Sequence, residues 1–396
     1  MSEEVLKGIK VIDFSTMLAA PMAATFLGEF GADVLHIEWK KGDPSRLTGP
    51  RKDDIPLMNK ILGRNKRHIT LDFHHEEAVG LLYELVKDAD IVISNFRPQT
   101  LQRFKLDYEH LIQYNPNLVM MSFTAYGRTG PYAQRPGYAR VAEAFAGLTY
   151  ITGYPDTPPT FTGTWIADGI GGIAGAYSLM LALFHKQRTG EGQLIDLALY
   201  DPVLRIMEDF VVDYGTHGSI KQRHGNINPN AAPNNMYLTG DGKWLAILGN
   251  VNMWPRLCQA MGRTDLLDDP KFIDNDVRMA NREELDGIIS AWTGSMPLKA
   301  AAAILFDHEV AHGPVNSVAD MFNDPHMWAR ESLVNVFDPE LGEDITVQNV
   351  MPRLSKTPGK IKWNGGAIGA DNDQVFLNEL NLSPARYQEL QEKGAI

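Results

Sequence analysis

Short apolar runs alternate with longer segments that carry apolar residues at helical spacing through the first half of the chain. Lys10–Phe14 (KVIDF) reads as a buried strand. Pro21–Phe30 reads as a helix with proline near its first turn, and Gly31 is its stop. Val34–Glu38 is a second strand. Such a βαβ unit implies a parallel pair with a right-handed crossover. Arg64–Phe73 (RNKRHITLDF) is a basic turn running into a strand. Glu76–Asp88 then reads as a helix, and Ile91–Ser94 and Leu118–Phe123 as strands. Alternating strands and helices predict a doubly wound α/β domain. Ligands of such sheets bind beyond the carboxyl ends of the strands, so Asn95-Phe96-Arg97-Pro98 is a candidate site wall.

A second pattern begins at Gly163. The run Gly169–Tyr177 is too rich in glycine to be helical by propensity, since each Gly costs about 1 kcal/mol relative to Ala. Small residues there imply close approach of backbone to a ligand or to another backbone. The helix reads as Gly172 to about Gln187. Asp168 opens it and can cap its free N–H groups. Arg188–Gly192 is a turn, and Gln193–Tyr200 a buried strand. Pro202–Tyr214 reads as helical. Gly215–Asn235, rich in Gly, Asn and Pro, reads as a linker. Met236–Gly249 is a hairpin turning at Gly240-Asp241-Gly242. Asn250 to Phe306 is helical in pattern, Gly313–Val318 a strand, and from Met327 the texture of the opening domain returns. The expected domains are 1–200 with 330–396, a helix and linker over 201–235, and a smaller domain over 236–329.

Composition narrows the classes. A chain of 396 residues fits two domains, or one large one with an insertion. No apolar stretch reads as long enough to span a bilayer. The start MSEEVLKGIK has no signal-peptide or transit character. Cys258 is the only cysteine, which excludes an internal disulfide or a Cys-based zinc site. A reducing cytoplasm is the expected compartment. The net charge of −12 argues against a general nucleic-acid binder. Basic residues still cluster at Lys40, Lys41, Arg46, Arg51, Arg64, Lys66 and Arg67, then at Arg97 and Arg103. A local basic cluster on an acidic protein suits a small anionic ligand.

Four local features carry both a chemical and a structural reading. His308-Glu309-Val310-Ala311-His312 matches the zinc-protease string, which requires both His on one helical face. Gly313-Pro314 follows at once and points to a loop instead. Gly169–Ala174 fits a dinucleotide glycine loop loosely, but no clean strand precedes it. Glu38 sits where a ribose-binding acid would stand, yet the turn after the first strand lacks the glycine fingerprint. Asp168 by spacing alone reads as a helix cap before it reads as a catalytic acid. Residue by residue, the chain reads as an α/β enzyme with an anionic ligand.

Ordered blocks along nearly the whole chain carry a more specific resemblance. LKGIKVIDFSTMLAAPMAATFLGEFGADVLHIE, RNKRHITLD, ADIVISNFRPQTLQRF, NPNLVMMSFTAYGRTGPY, RTGEGQLIDLALYD and NDPHMWARESL resemble the family III CoA-transferases, the group of formyl-CoA, carnitine and bile-acid CoA-transferases. The resemblance implies a Rossmann-like large domain with a parallel sheet, built from both chain ends, an inserted smaller α+β domain, and an interlocked homodimer. It places the nucleophilic aspartate on Asp168. It places CoA contacts on Leu18, Ala19, Leu71, His74, Asn95, Phe96, Arg97, Arg103 and Tyr138. The substrates would be an acyl-CoA thioester and a small carboxylic acid, with no tightly bound cofactor, metal, nucleic acid or membrane. The segments IADGIGG, VMPRLSKTPGKIKW and IGADNDQVFLNEL lean toward the carnitine and bile-acid branch.

Departures from the family pattern are visible. Ala139 stands where some members carry an acid. His36 replaces a usual Lys, and Trp39 an Arg, with Lys40 or Lys41 as substitutes. The glycine loop over the formyl-CoA transferase site has Leu248-Gly249-Asn250 as its candidate. The related α-methylacyl-CoA racemases need a His/Asp pair, and that histidine would fall on Tyr138. A phenol with a pKa of about 10 is a poor base, so transferase ranks above racemase.

Overall fold

The computed structural model describes residues 4–249 and 252–396. Its larger unit is framed by six strands: β1 (Lys10–Asp13), β2 (Asp33–Glu38), β3 (Lys66–Thr70), β4 (Ile91–Ser94), β5 (Val119–Thr124) and β6 (Leu194–Ala198). They form one parallel sheet in the order β3-β2-β1-β4-β5-β6. Strand order reverses between β1 and β4, and the crevice beyond their carboxyl ends is where such sheets bind ligands.

Side chains alternate across the sheet, as strand geometry requires. Ile12 and Val92 face one layer with Leu35, Leu82, Phe376 and Leu390. Val11, Ile91 and Ile93 face the other, with Ala23, Leu27, Met121 and Leu179. The central strands β4 and β5 are buried throughout. β6, expected to be buried, is an edge strand with only Ala198 buried, because β5 is its sole neighbour.

Between the strands the chain forms α1 (Ala19–Glu29), α2 (Glu76–Val86), α3 (Pro98–Phe104), α4 (Ala139–Phe145) and α5 (Ile166–Thr189), and α1 and α5 form the second layer. The glycine run lies inside α5, which starts at Ile166 rather than Gly172 and continues to a left-handed Gly190 (φ 79°). Packing overrides propensity here. A Cβ on Gly172 would lie 2.9 Å from the Met22 side chain, and one on Gly175 3.0 Å from Ala23 Cβ. One on Gly171 would lie 2.8 Å from Phe123 Cζ. Gly171, Gly172 and Gly175 admit α1 and β5, while the space beside Gly169 is open. The sequence expectation about bilayer length also changes, since α5 is long and apolar enough to cross one by length and composition. Yet it carries Asp168 in its first turn and buries Gly171, Gly175, Leu179 and Leu183 against its neighbours.

The carboxyl end returns to the same unit. All six strands of the main sheet come from residues 10–198, while Val375, Phe376, Tyr387 and Leu390 complete the opposite layer. The hairpin Leu333–Asp338 with Glu343–Gln348 is tied down by buried charges. Lys60 lies 3.1 Å from Asp338, and Arg64 donates to Gln348 O at 3.0 Å. The expected helix over Pro202–Tyr214 is two helices, Tyr200–Arg205 and Phe210–His217, with Glu208 at φ 52° between them.

The smaller unit comprises Tyr150–Thr160 and the described residues of Ile220–Met327. Tyr150–Thr160 lies inside the span assigned above to the large domain. It joins the smaller unit through Arg223, which donates to Tyr150 O at 3.0 Å, and Gly225 N, which donates to Gly153 O at 2.9 Å. The hairpin Asn234–Leu238 with Trp244–Leu248 pairs further with His312–Pro314, a shorter strand than Gly313–Val318.

Candidate active site

The site starts from a buried carboxylate at the end of β1. Asp13 accepts from Lys66 Nζ and lies against His36 Nδ1, both at 2.9 Å. It also accepts from Ser15 N at 3.0 Å. Burial alone would raise Asp13, but Lys66, His36 and Ser15 together hold it well below the usual carboxylate range. Lys66 thus supplies the amine next to a position where His36 departs from the family pattern.

This cluster fixes the loop that follows β1. Met17 takes a left-handed φ of 71°. Its N–H donates to the Asp43 carboxylate at 3.2 Å, and Asp43 N donates to Glu38 Oε2 at 2.7 Å. Glu38 is buried, bonded to Arg46 Nε at 2.6 Å and to His68 Nδ1 at 2.9 Å. Its side chain therefore serves as an anchor rather than a ribose ligand. Across the switch point, Asn95 Oδ1 accepts from Thr16 N at 2.9 Å, and Asn95 Nδ2 donates to Thr16 O at 2.6 Å. The two strand ends are clamped together.

Beyond them opens a cleft of about 720 Å³. Leu18, Ala19, Asn95, Phe96, Arg97, Tyr138 and Asp168 all line it. Leu71, His74 and Arg103 do not. Leu71 is buried in the core under β3. His74 and Arg103 are exposed beside Trp39 and Phe104, with the His74 ring 5.8 Å from Trp39 and 5.1 Å from Phe104. Arg103 lies 4.6 Å over the Phe104 ring. Lys40 and Lys41 are exposed and outside the cleft. A row of aromatic contacts, Phe96–Phe14–Phe73–Phe104, connects the cleft wall to this patch.

Asp168 stands in the first turn of α5 and does not cap it; Trp165 is the N-cap residue and makes no side-chain bond. The helix α4 (Ala139–Phe145) brings buried Glu143 against this turn, where Glu143 Oε1 accepts from Ala167 N at 3.2 Å. Burial and the neighbouring Glu143 charge push Asp168 up to about 6, against the favourable helix dipole. A carboxylate shifted this way in a cleft is a functional-site candidate.

The sequence reading missed Glu143 and two cleft arginines, Arg135 and Arg140. Glu143 was findable. It lies four residues after Ala139, so an acid displaced by one helical turn keeps the same face.

Other readings fail on geometry. The helix Leu298–Asp307 ends before the HExxH string, Glu309 has φ 54°, and His312 sits in a strand. His308 and His312 bond through Nδ1 to the carbonyls of Ile304 and Val310. Among the described residues no group of three or more His, Cys, Asp or Glu could hold a metal ion. No histidine is among the described cleft-lining residues, so the racemase pair is absent. Of the candidate loop Leu248-Gly249-Asn250, Asn250 lies outside the described residues, and Gly249 N donates to Pro233 O at 2.6 Å in the smaller unit.

An acid of raised pKa and three arginines without carboxylate partners among the described residues line one cleft at the switch point of a doubly wound sheet, the place where α/β enzymes bind ligands. The chain belongs to CoA-transferase family III, which residues 6–372 match. It is 39% identical to the succinyl-CoA–D-citramalate CoA-transferase of Chloroflexus aurantiacus, over 99% of this chain and 98% of that one. It is 34% identical to the succinate–glutarate CoA-transferase of Agrobacterium fabrum, over 94% of each. Among solved structures, a CAIB/BAIF family protein from Brucella suis superposes with a TM-score of 0.85 at 32% identity, covering 94% of this chain and 99% of that chain.

Proposed function

We propose that this CoA-transferase moves CoA from succinyl-CoA to a small dicarboxylic acid, with Asp168 carrying first the acyl group and then CoA. The observation that carries this reading is the half-buried Asp168 in a cleft shared with Arg97, Arg135 and Arg140. The names of the relatives support a dicarboxylate over the carnitine and bile-acid substrates that the sequence segments suggested.

The Asp168 carboxylate attacks the thioester carbonyl, forming a mixed anhydride and releasing CoA thiolate. The thiolate attacks the Asp168 carbonyl, the anhydride C–O bond breaks, and the donor acid leaves an aspartyl-CoA thioester. The acceptor carboxylate attacks that thioester, giving a second anhydride and thiolate. Attack of the thiolate on the acyl carbonyl then yields the new acyl-CoA and restores Asp168. Thioester energy stays in covalent bonds, so no ATP enters. The positive end of the α5 macrodipole favours negative charge developing at its first turn. Arg97 would hold CoA phosphate, and the Trp39, His74, Phe104 and Arg103 patch the nucleotide end.

The protein acts as a homodimer in this reading, in the cytoplasm. Ile173, Tyr177, Met180, Leu181 and Phe184 form an exposed apolar face of α5, more than a lone soluble surface helix usually shows. The succinyl-CoA–L-malate CoA-transferase of Chloroflexus aurantiacus is named by α and β subunits, so assembly from two chains has precedent among relatives.

Incubation with succinyl-CoA and a panel of acids tests the reaction. One new thioester should form per succinate released, and Asp168→Ala should lower turnover by about 10⁴-fold or more. Thioester hydrolysis without transfer, or an Asp168→Ala variant with full activity, would overturn the proposal.

A further inference from the structure

We infer that Arg140 reads the far carboxylate of the acyl group and of the acceptor acid, and so sets the enzyme's preference for dicarboxylates. The inference rests on the dicarboxylate reading above and deepens it by naming the residue responsible.

Three arginines line the cleft, and none has a carboxylate partner among the described residues. Arg97 Nη1 makes one long bond to Gln134 O at 3.4 Å. Arg135 lies 3.6 Å over the Tyr132 ring. Arg140 lies 4.7 Å over the Phe161 ring. The buried arginines of the same unit behave differently, with Arg46 on Glu38 and Arg64 on Glu29. The cleft arginines therefore offer charge that no carboxylate among the described residues neutralises.

Position separates Arg140 from the other two. It stands in the first turn of α4, three residues before Glu143. Side chains three apart on a helix are neighbours, with Cβ atoms about 5–6 Å apart. Glu143 in turn bonds Ala167 N, next to Asp168. One short helix thus carries both Arg140, which lines the cleft, and Glu143, which bonds the start of α5 where the reacting carboxylate sits. A short diacid bonded through one end to Asp168 would present its other end nearby. A guanidinium held over an aromatic ring by its cation–π contact makes no hydrogen bond there, so its N–H fork can still pair a carboxylate bidentately.

The chemistry also fits the preference. A site built to pair a carboxylate leaves its cation unmatched when the acid ends in a methyl group, which is how strong discrimination arises. Neutral acids of the same length should therefore bind poorly.

The test compares succinate with butyrate as acceptors, and succinyl-CoA with butyryl-CoA as donors, in wild type, Arg140→Gln and Arg140→Lys. Wild type should favour the diacids. Arg140→Gln should lower kcat/KM for the diacids by about 10²-fold or more and leave the monoacids within a few fold, so that the preference collapses. Arg140→Lys, which keeps charge but loses the fork, should fall between. Should Arg140→Gln fail to fold, Arg140→Lys with an unchanged melting temperature serves as the deciding variant. A retained diacid preference in the variants overturns the role of Arg140 alone. A uniform rise in KM for every CoA thioester also overturns it, by assigning Arg140 to CoA. Transfer by wild type with no diacid preference overturns the substrate reading, and Arg140 with it.

Discussion

At the scale of single residues, the central feature is a pair of carboxylates of unequal burial. Glu143 is buried and holds the backbone at Ala167, while Asp168 faces the cleft. Asp168 must be ionised to attack, and its pKa is pushed up to about 6 by burial and by Glu143. The free-enzyme profile of kcat/KM should therefore rise with pH through about 6 and level off above it. Glu143→Gln keeps an acceptor for Ala167 N but removes the like charge, so the acid limb should move to lower pH. An unmoved limb in that variant would assign the shift to burial alone. Stability follows the opposite sign. The folded-state value lies above the ordinary 3.8, so the protonated form favours the fold. That contribution is complete below 3.8 and is lost as pH rises through about 6. Asp168→Asn should accordingly melt higher than wild type at neutral pH.

At the scale of elements, α5 shows what the sequence made legible and what it did not. The glycine run announced a close approach, and that is what it provides. Its partners, Met22, Ala23 and Phe123, are distant in sequence, and a local propensity argument has no access to them. A local reading therefore starts the helix at Gly172, six residues after Ile166, and by spacing alone makes Asp168 a cap. The short apolar run Ile91–Ser94 and the βαβ spacing around Gly31 are local signals, and those elements are readable from the sequence. The break at Glu208 and the edge position of β6 depend on tertiary neighbours, and they are not. Two substitutions separate packing from propensity. A Cβ at Gly169 meets nothing within 4 Å, so Gly169→Ala should stabilise by about 0.5–1 kcal/mol. A Cβ at Gly171 falls 2.8 Å from Phe123 Cζ and 3.0 Å from Leu199 Cδ1. Overpacking of about 1–3 kcal/mol then outweighs the helix gain, and Gly171→Ala should unfold at lower denaturant. Equal midpoints would contradict the packing assignment.

At the scale of the whole molecule, the sequence blocks carried the family and the position of Asp168, because both are properties of long ordered patterns. The charge network under the cleft was not legible, since Asp13, Glu38, Arg46, Lys66 and His68 meet only when three strands pair. The exposed apolar face of α5 bears on assembly. Light scattering should give twice the 44.1 kDa chain mass, and Leu181→Asp with Phe184→Asp should reduce it to one chain. A wild-type mass of one chain would remove the dimer. The most direct test of the chemistry is to quench the enzyme during turnover of succinyl-CoA and map the modified peptide by mass spectrometry. The expected result is Asp168 activated as a CoA thioester or succinyl anhydride, read as an aspartyl hydroxamate after hydroxylamine or as the side-chain alcohol after borohydride, each formed with release of the bound CoA or succinate. Accumulating product with Asp168 unmodified at every quench time would contradict it.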